Sequence, residues 1–167
     1  AAARRTALAV LLAVWMVPPL FGLVLVQEEW GTRGLLVLVL LAKIGDVAGF
    51  FVGRAIGRRH PFPRLSPGKT VAGCVASLGA GLAAGLALAA AGVLAPGPGG
   101  LGRAALGGIA VNLAAQAGDL AESAVKRSAG VKDSSRLVGP SGGVLDVVDS
   151  LLLAVPAALL LFPLLLS

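Results

Sequence analysis

Runs of about twenty apolar residues recur along this chain, and each is long enough to cross the hydrocarbon of a bilayer as a helix. Between Lys69 and Arg103 there is no charged side chain at all. Lipid offers no partner for a backbone N–H or C=O, so a spanning segment must satisfy its own, which a helix does. Only 13% of the residues are charged and 57% are hydrophobic, whereas soluble domains carry about 25% charge. The fold class this predicts is all-α, a polytopic integral membrane protein with about five transmembrane helices in one domain over residues 1–167.

The first span is placed near 7–26, where Pro18 and Pro19 should kink it. A short polar loop, QEEWGTR, is expected at 27–33, with Trp30 as an interface anchor. The second span, near 34–53, contains Lys43 and Asp46, three apart and so on one helical face. Intramembrane ionisable groups usually face a cavity or a pathway. The third span, near 71–96, is rich in Ala and Gly and suits close helix packing; Cys74 reads as a small packing residue within it. The fourth, near 101–119, carries Asn112 and Gln116 on one face, placed to hydrogen-bond across helices, and ends at Asp119. The fifth lies near 144–166. The amino end, with Arg4 and Arg5 before a long apolar run, does not match a cleaved signal peptide.

Loops 54–70 and 120–143 fall on the same side as the amino terminus in this arrangement. That side then holds eleven of the fourteen basic residues, which predicts that it is cytoplasmic. The formal net charge is +6, but no interleaving of basic and aromatic residues points to nucleic acid, and no nucleic-acid partner is expected. His60 has no second His or Cys at ligand spacing. The tripeptide GKT at 68–70 is not a P-loop, because the first glycine of that motif would fall on Pro63 and no strand precedes it.

Five of the eight acidic residues and four of the fourteen basic ones lie between Asp119 and Asp149. Asp146 and Asp149, three apart at a helix start, should project from one face. Asp119, at the end of the preceding span, sits at similar depth. With Asp46 reaching up from the second span, these carboxylates make an oxygen-rich site for Mg2+. Lys126, Arg127 and Lys132 offer charge for phosphate, Arg as a bidentate fork and Lys as a point charge. Gly142 and Gly143 allow close backbone approach ahead of a helix N-terminus that favours an anion. A metal with basic groups around phosphate suits phosphoryl or nucleotidyl transfer. The alternative from the residues alone is a solvated loop whose charges pair with one another.

The stretch S-A-V-K-R-S-A-G-V-K-D, Ser123 to Asp133, followed by G-P-S-G-G-V-L-D-V-V-D to Asp149, resembles the signature of the phosphatidate cytidylyltransferases, or CDP-diacylglycerol synthases. That signature runs S-x-[apolar]-K-R-x4-K-D, then proline or glycine, H-G-G-[apolar]-x-D-R-x-D. Residues 43–54 and P-R-L-S-P-G-K-T-V-A-G at 63–73 resemble a second block of the same family, usually S-P-K-K-T-x-E-G. The family's His is Ser141 here, its Arg is Val147 and its Glu is Ala72.

The resemblance implies an Mg2+-dependent transfer of CMP from CTP to phosphatidate, giving CDP-diacylglycerol and pyrophosphate. It implies metal ligation by Asp119 and Asp146, supported by Asp149 and Asp46. The phosphates would be held by Ser66, Lys69, Thr70 and Ser123, with Gly142 and Gly143, and by Lys126, Arg127, Lys132 and Asp133. The expected setting is the cytoplasmic (inner) membrane, with the active site on its cytoplasmic face, and close small-residue helices are compatible with a homodimer. Rival readings are a cytidylyltransferase or kinase for a prenyl lipid, a catalytically weakened homologue, and a small transporter. A transport path would spread polar residues through the membrane depth, whereas here they crowd toward one side.

Overall fold

The structure, a computed structural model, describes residues 2–94, 100–128, 130 and 148–166. Among the described residues, four helices follow one another: α1 (Ala2–Ile56), α2 (Val71–Ala90), α3 (Gly100–Ser128) and α4 (Leu151–Leu165). No strand occurs among the described residues.

α1 is two arms joined at Gly31, whose φ of 63° and ψ of −163° leave the helical region. That φ is open to glycine and strained for a residue with a Cβ. The chain folds back there: a Cβ on Gly34 would lie 3.3 Å from Val26 Cγ1, which a straight helix would hold about 12 Å away along its axis. Both arms line α4. Trp30 packs edge-on against Phe162, with ring centroids 5.5 Å apart, while Lys43 reaches Asp149 at the other end of α4. Trp30, expected as an interface anchor, thus also packs against a neighbouring helix. The polar stretch expected as a loop at 27–33 is helical except at Gly31. Helical dihedrals persist through Pro18 and Pro19, so the break in α1 falls at Gly31 instead.

The remaining helices pack antiparallel through missing side chains. A Cβ on Gly73 of α2 would come 2.6 Å from Gly49 O of the second arm. One on Gly81 would lie 2.7 Å from Gly108 O of α3. Between lipid-facing helices there is little hydrophobic drive, so close van der Waals contact of this kind does the holding. A core of Val26, Leu38, Leu41, Val111, Val155 and Phe162 fills the centre. The outside is apolar too, with Leu36, Phe51, Leu106 and Leu160 largely exposed, a surface suited to hydrocarbon. Among the described residues, two stretches, Val14–Ile56 and Val71–Ala90, are long and apolar enough to cross a membrane, and α4 is a shorter apolar helix.

Three boundaries differ from expectation, and the first two shape the site. α3 does not stop at Asp119 but runs nine residues further, to Ser128, so residues 120–128 are helix rather than loop. α4 begins at Leu151, which puts Asp149 in a turn just outside it instead of in its first turns. α2 ends at Ala90 rather than near 96. At the end of the bundle opposite Asp119, Arg33 donates to Gly92 O at 3.0 Å and to Val93 O, satisfying carbonyls just past the end of α2.

Candidate functional site

Three carboxylates meet where α3 leaves the bundle. Asp119 and Glu122, three apart on α3, share a face, and the turn before α4 brings Asp149 to them. One oxygen from each lies within 4.8 Å of the others. Gly118 makes that approach feasible, since a Cβ there would come 2.7 Å from Asp149 O. The Ser150 N–H donates to Asp149 Oδ1. Burial pushes the Asp149 carboxyl above its ordinary pKa, and Asp119 pushes it the same way. The Ser150 N–H and Lys43 pull it back. Like charges this close favour a counter-cation.

Cations surround the trio. Lys69 Nζ lies 2.7 Å from Asp119 Oδ2, and Lys126 Nζ lies 2.7 Å from Glu122 Oε2. Glu122 is 0% exposed, so a charge on it has to be offset by neighbours rather than by water. Lys43 stands between two acids, 3.7 Å from Asp46 and 3.6 Å from Asp149. Asp46 therefore faces Lys43 and is not one of the three clustered carboxylates. Ser123 Oγ donates to Asp119 Oδ1 at 3.5 Å, a long bond.

The loop between α1 and α2 closes over this end. Ser66 N donates to Phe62 O at 2.9 Å and Lys69 N to Ser66 O at 3.1 Å, a turn that aims Lys69 at Asp119. Thr70 caps α2, its Oγ1 accepting from Gly73 N at 3.1 Å. Arg127 Nε donates to Leu65 O at 3.3 Å, tying α3 to the loop. A cavity of about 300 Å³ lies beneath, bounded by Asp46, Phe50, Ser66, Lys69, Thr70 and Asp119, with Cys74, Ser77 and Gln116 lower down. Its size is at the small end for a ligand pocket.

Of the residues singled out in the sequence, Asp119 and Asp149 come together, Ser66, Lys69, Thr70 and Asp46 line one cavity with Asp119, and Ser123, Lys126 and Arg127 lie on the α3 extension. Lys132, Asp133, Gly142, Gly143 and Asp146, with Ser141 and Val147, lie outside the described residues. Glu122 was missed. Its spacings, three after Asp119 and four before Lys126, carried the signal, which was lost by ending the helix at Asp119.

The sequence profile of the cytidylyltransferase family matches residues 1–165. The chain belongs to that family. Among curated members, it is 42% identical over 134 residues to the phosphatidate cytidylyltransferase of Brucella suis, covering 80% of this chain and 47% of that protein. It is 42% identical over 156 residues to that of Pseudomonas aeruginosa, covering 92% and 55%. For the Mycobacterium bovis enzyme the figures are 36% over 159 residues, covering 93% and 50%. The chain thus spans about half the length of the cytidylyltransferases it matches, and that half contains Asp119, Glu122, Asp149 and Lys69.

Proposed function

We propose that this chain carries the catalytic portion of a membrane phosphatidate cytidylyltransferase, transferring CMP from CTP to phosphatidate. The observation that carries this reading is the carboxylate trio at a bundle end, with Lys69 and a cavity beside it. Three hard oxygen donors from Asp119, Glu122 and Asp149 suit Mg2+ better than a softer ion. When bound, such an ion neutralises phosphate charge at the reacting phosphorus. Asp146 is proposed as a further ligand, and Asp46 as a support acting through Lys43.

The acceptor phosphate is already an anion at neutral pH, so the chain needs no nucleophile of its own. An oxygen of phosphatidate bonds to the α-phosphorus of CTP as the bond to the β-phosphate oxygen breaks, and pyrophosphate leaves. The residues then act by alignment and electrostatics. Lys69 brings positive charge to the cavity, where Ser66 and Thr70 also lie, while Lys126, Arg127 and Ser123, on the α3 extension beside the carboxylates, are proposed to meet the phosphates from that side. Lys132, Asp133, Gly142 and Gly143 take the phosphate-holding roles of the signature they match. The acyl chains remain in lipid, outside the bundle.

The setting is proposed as the inner membrane with five spans, the two arms of α1 counting separately, and with the amino end and the site on the cytoplasmic face. The concentration of Arg54, Arg58, Arg59, Arg64, Lys69, Lys126 and Arg127 at one end, against Arg33 and Arg103 at the other, supports that orientation. The glycine-rich helix faces are compatible with a homodimer.

Purified protein given labelled CTP, phosphatidate and Mg2+ should form lipid-linked CMP. Asp119→Asn should lower the rate about 10²-fold or more, the scale of losing one electrostatic element at a reacting centre. Equal rates in the two proteins would remove Asp119 from the mechanism, and absence of product from both would refute the reaction.

A further inference from the structure

Below the carboxylates, a buried polar knot joins the helices that carry them. Asn112 of α3 is 1% exposed. Its Oδ1 accepts from Ser77 Oγ of α2 at 2.8 Å and from Gln116 Nε2 at 3.2 Å. Its Nδ2 donates to Leu41 O, in the second arm of α1, at 3.2 Å. Room for the amide exists because residue 45 is glycine: a Cβ there would overlap both Asn112 Nδ2 and Ser77 Oγ.

Each element tied by the knot also bears part of the site. Leu41 lies two residues before Lys43, which faces Asp46 and Asp149. Ser77 belongs to the helix that Thr70 caps, next to Lys69. Asn112 is two turns of α3 below Asp119, about 10 Å along the axis. Elsewhere these helices meet through glycine contacts and apolar side chains, neither of which carries the directional demand of a hydrogen-bonded amide. A buried amide is costly unless all its bonds are made, so it admits one register; fixing register is the best-attested use of a single buried polar residue.

We propose that Asn112 is a positioning residue for the metal centre. It fixes the register of α3, with Asp119 and Glu122, against the second arm of α1, whose Lys43 holds Asp149. The inference rests on the metal reading given above and deepens it. The test is Mn2+ binding to the purified protein, read from the spectrum of the free ion, with no substrate present. Asn112→Leu should weaken Mn2+ binding about tenfold, the usual scale for losing an outer-shell support. Ser77→Ala, a milder change that supplies the same readout if Asn112→Leu does not fold, should weaken it in the same direction by less. Val111→Ala, which opens the neighbouring core without touching the knot, should lower thermal stability and leave Mn2+ affinity unchanged.

Unchanged affinity in folded Asn112→Leu and Ser77→Ala would overturn the role of the knot while leaving the metal site standing. Equal weakening by Val111→Ala would also overturn it, as a general effect of loosening. A wild-type protein that binds no Mn2+ would overturn the metal reading itself, and this inference with it.

Discussion

Glu122 and Lys126 sit one turn apart on α3, the acid fully buried and the ammonium 2.7 Å from it. Removing one member of a buried ion pair takes away much of what offsets the other's charge, at a cost of up to about 3–5 kcal/mol. Glu122→Gln should therefore lower unfolding stability by that order in chemical denaturation, and should also lower cytidylyl transfer. Replacing both partners, Glu122→Gln with Lys126→Met, separates the two effects: stability should return toward wild type while activity stays low. Recovery of activity in the double variant would exclude Glu122 as a ligand. Much of this site was legible at residue scale, because Asp119, Lys69, Lys126 and Asp149 are ionisable groups in an apolar chain, where each needs a partner. Glu122 was not, since its role depends on where α3 ends, and a polar run after an apolar one reads as an exit from the helix. Asp46 was legible as part of the site, and its spacing placed it beside Lys43; that it stands outside the three clustered acids depends on a distance that no spacing rule supplies.

At the scale of elements, the site depends on contacts that only small residues allow. Gly118 lets the Asp149 turn lie against α3, so Gly118→Val should drive that turn away. The expected result is a loss of about 1–3 kcal/mol from overpacking with a larger relative loss of activity. Activity that tracked stability alone would argue against a role for Asp149 in the site. Gly31→Ala should cost about 1–3 kcal/mol, the strain of a Cβ at positive φ with extended ψ, measured as a lower midpoint of thermal unfolding. No change there would mean that the reversal between the arms of α1 does not need its glycine. The two arms were legible as separate apolar runs. Their joint was not, because a one-residue break between helices leaves nothing of loop length to find, and charged QEEWGTR proved compatible with helix. Gly79, Gly81 and Gly85 in α2 suggested close packing; Gly81 against Gly108 and Gly85 against Ala104 bear that out, whereas a Cβ on Gly79 would meet nothing within 4 Å.

Across the whole molecule, charge and topology agree. The ends of the bundle differ in basic content, and the carboxylate trio lies at the basic end, where phosphates would be drawn. In a Cys74→Ala background, a cysteine at Arg64 should react with a membrane-impermeant thiol reagent from the cytoplasmic side only, and one at Ala91 from the opposite side only. Labelling of both from one side would contradict five spans in this order. The all-helical class was legible from apolar run length, and the family from the ordered S-x-[apolar]-K-R signature, which the profile over residues 1–165 bears out. The claim on which the rest depends is that Asp119, Glu122 and Asp149 jointly hold one divalent ion. Anomalous diffraction from crystals soaked in Mn2+ tests it most directly. A single peak within coordination distance of all three carboxylates is the predicted result, and a peak elsewhere, or none at Asp119, would contradict it.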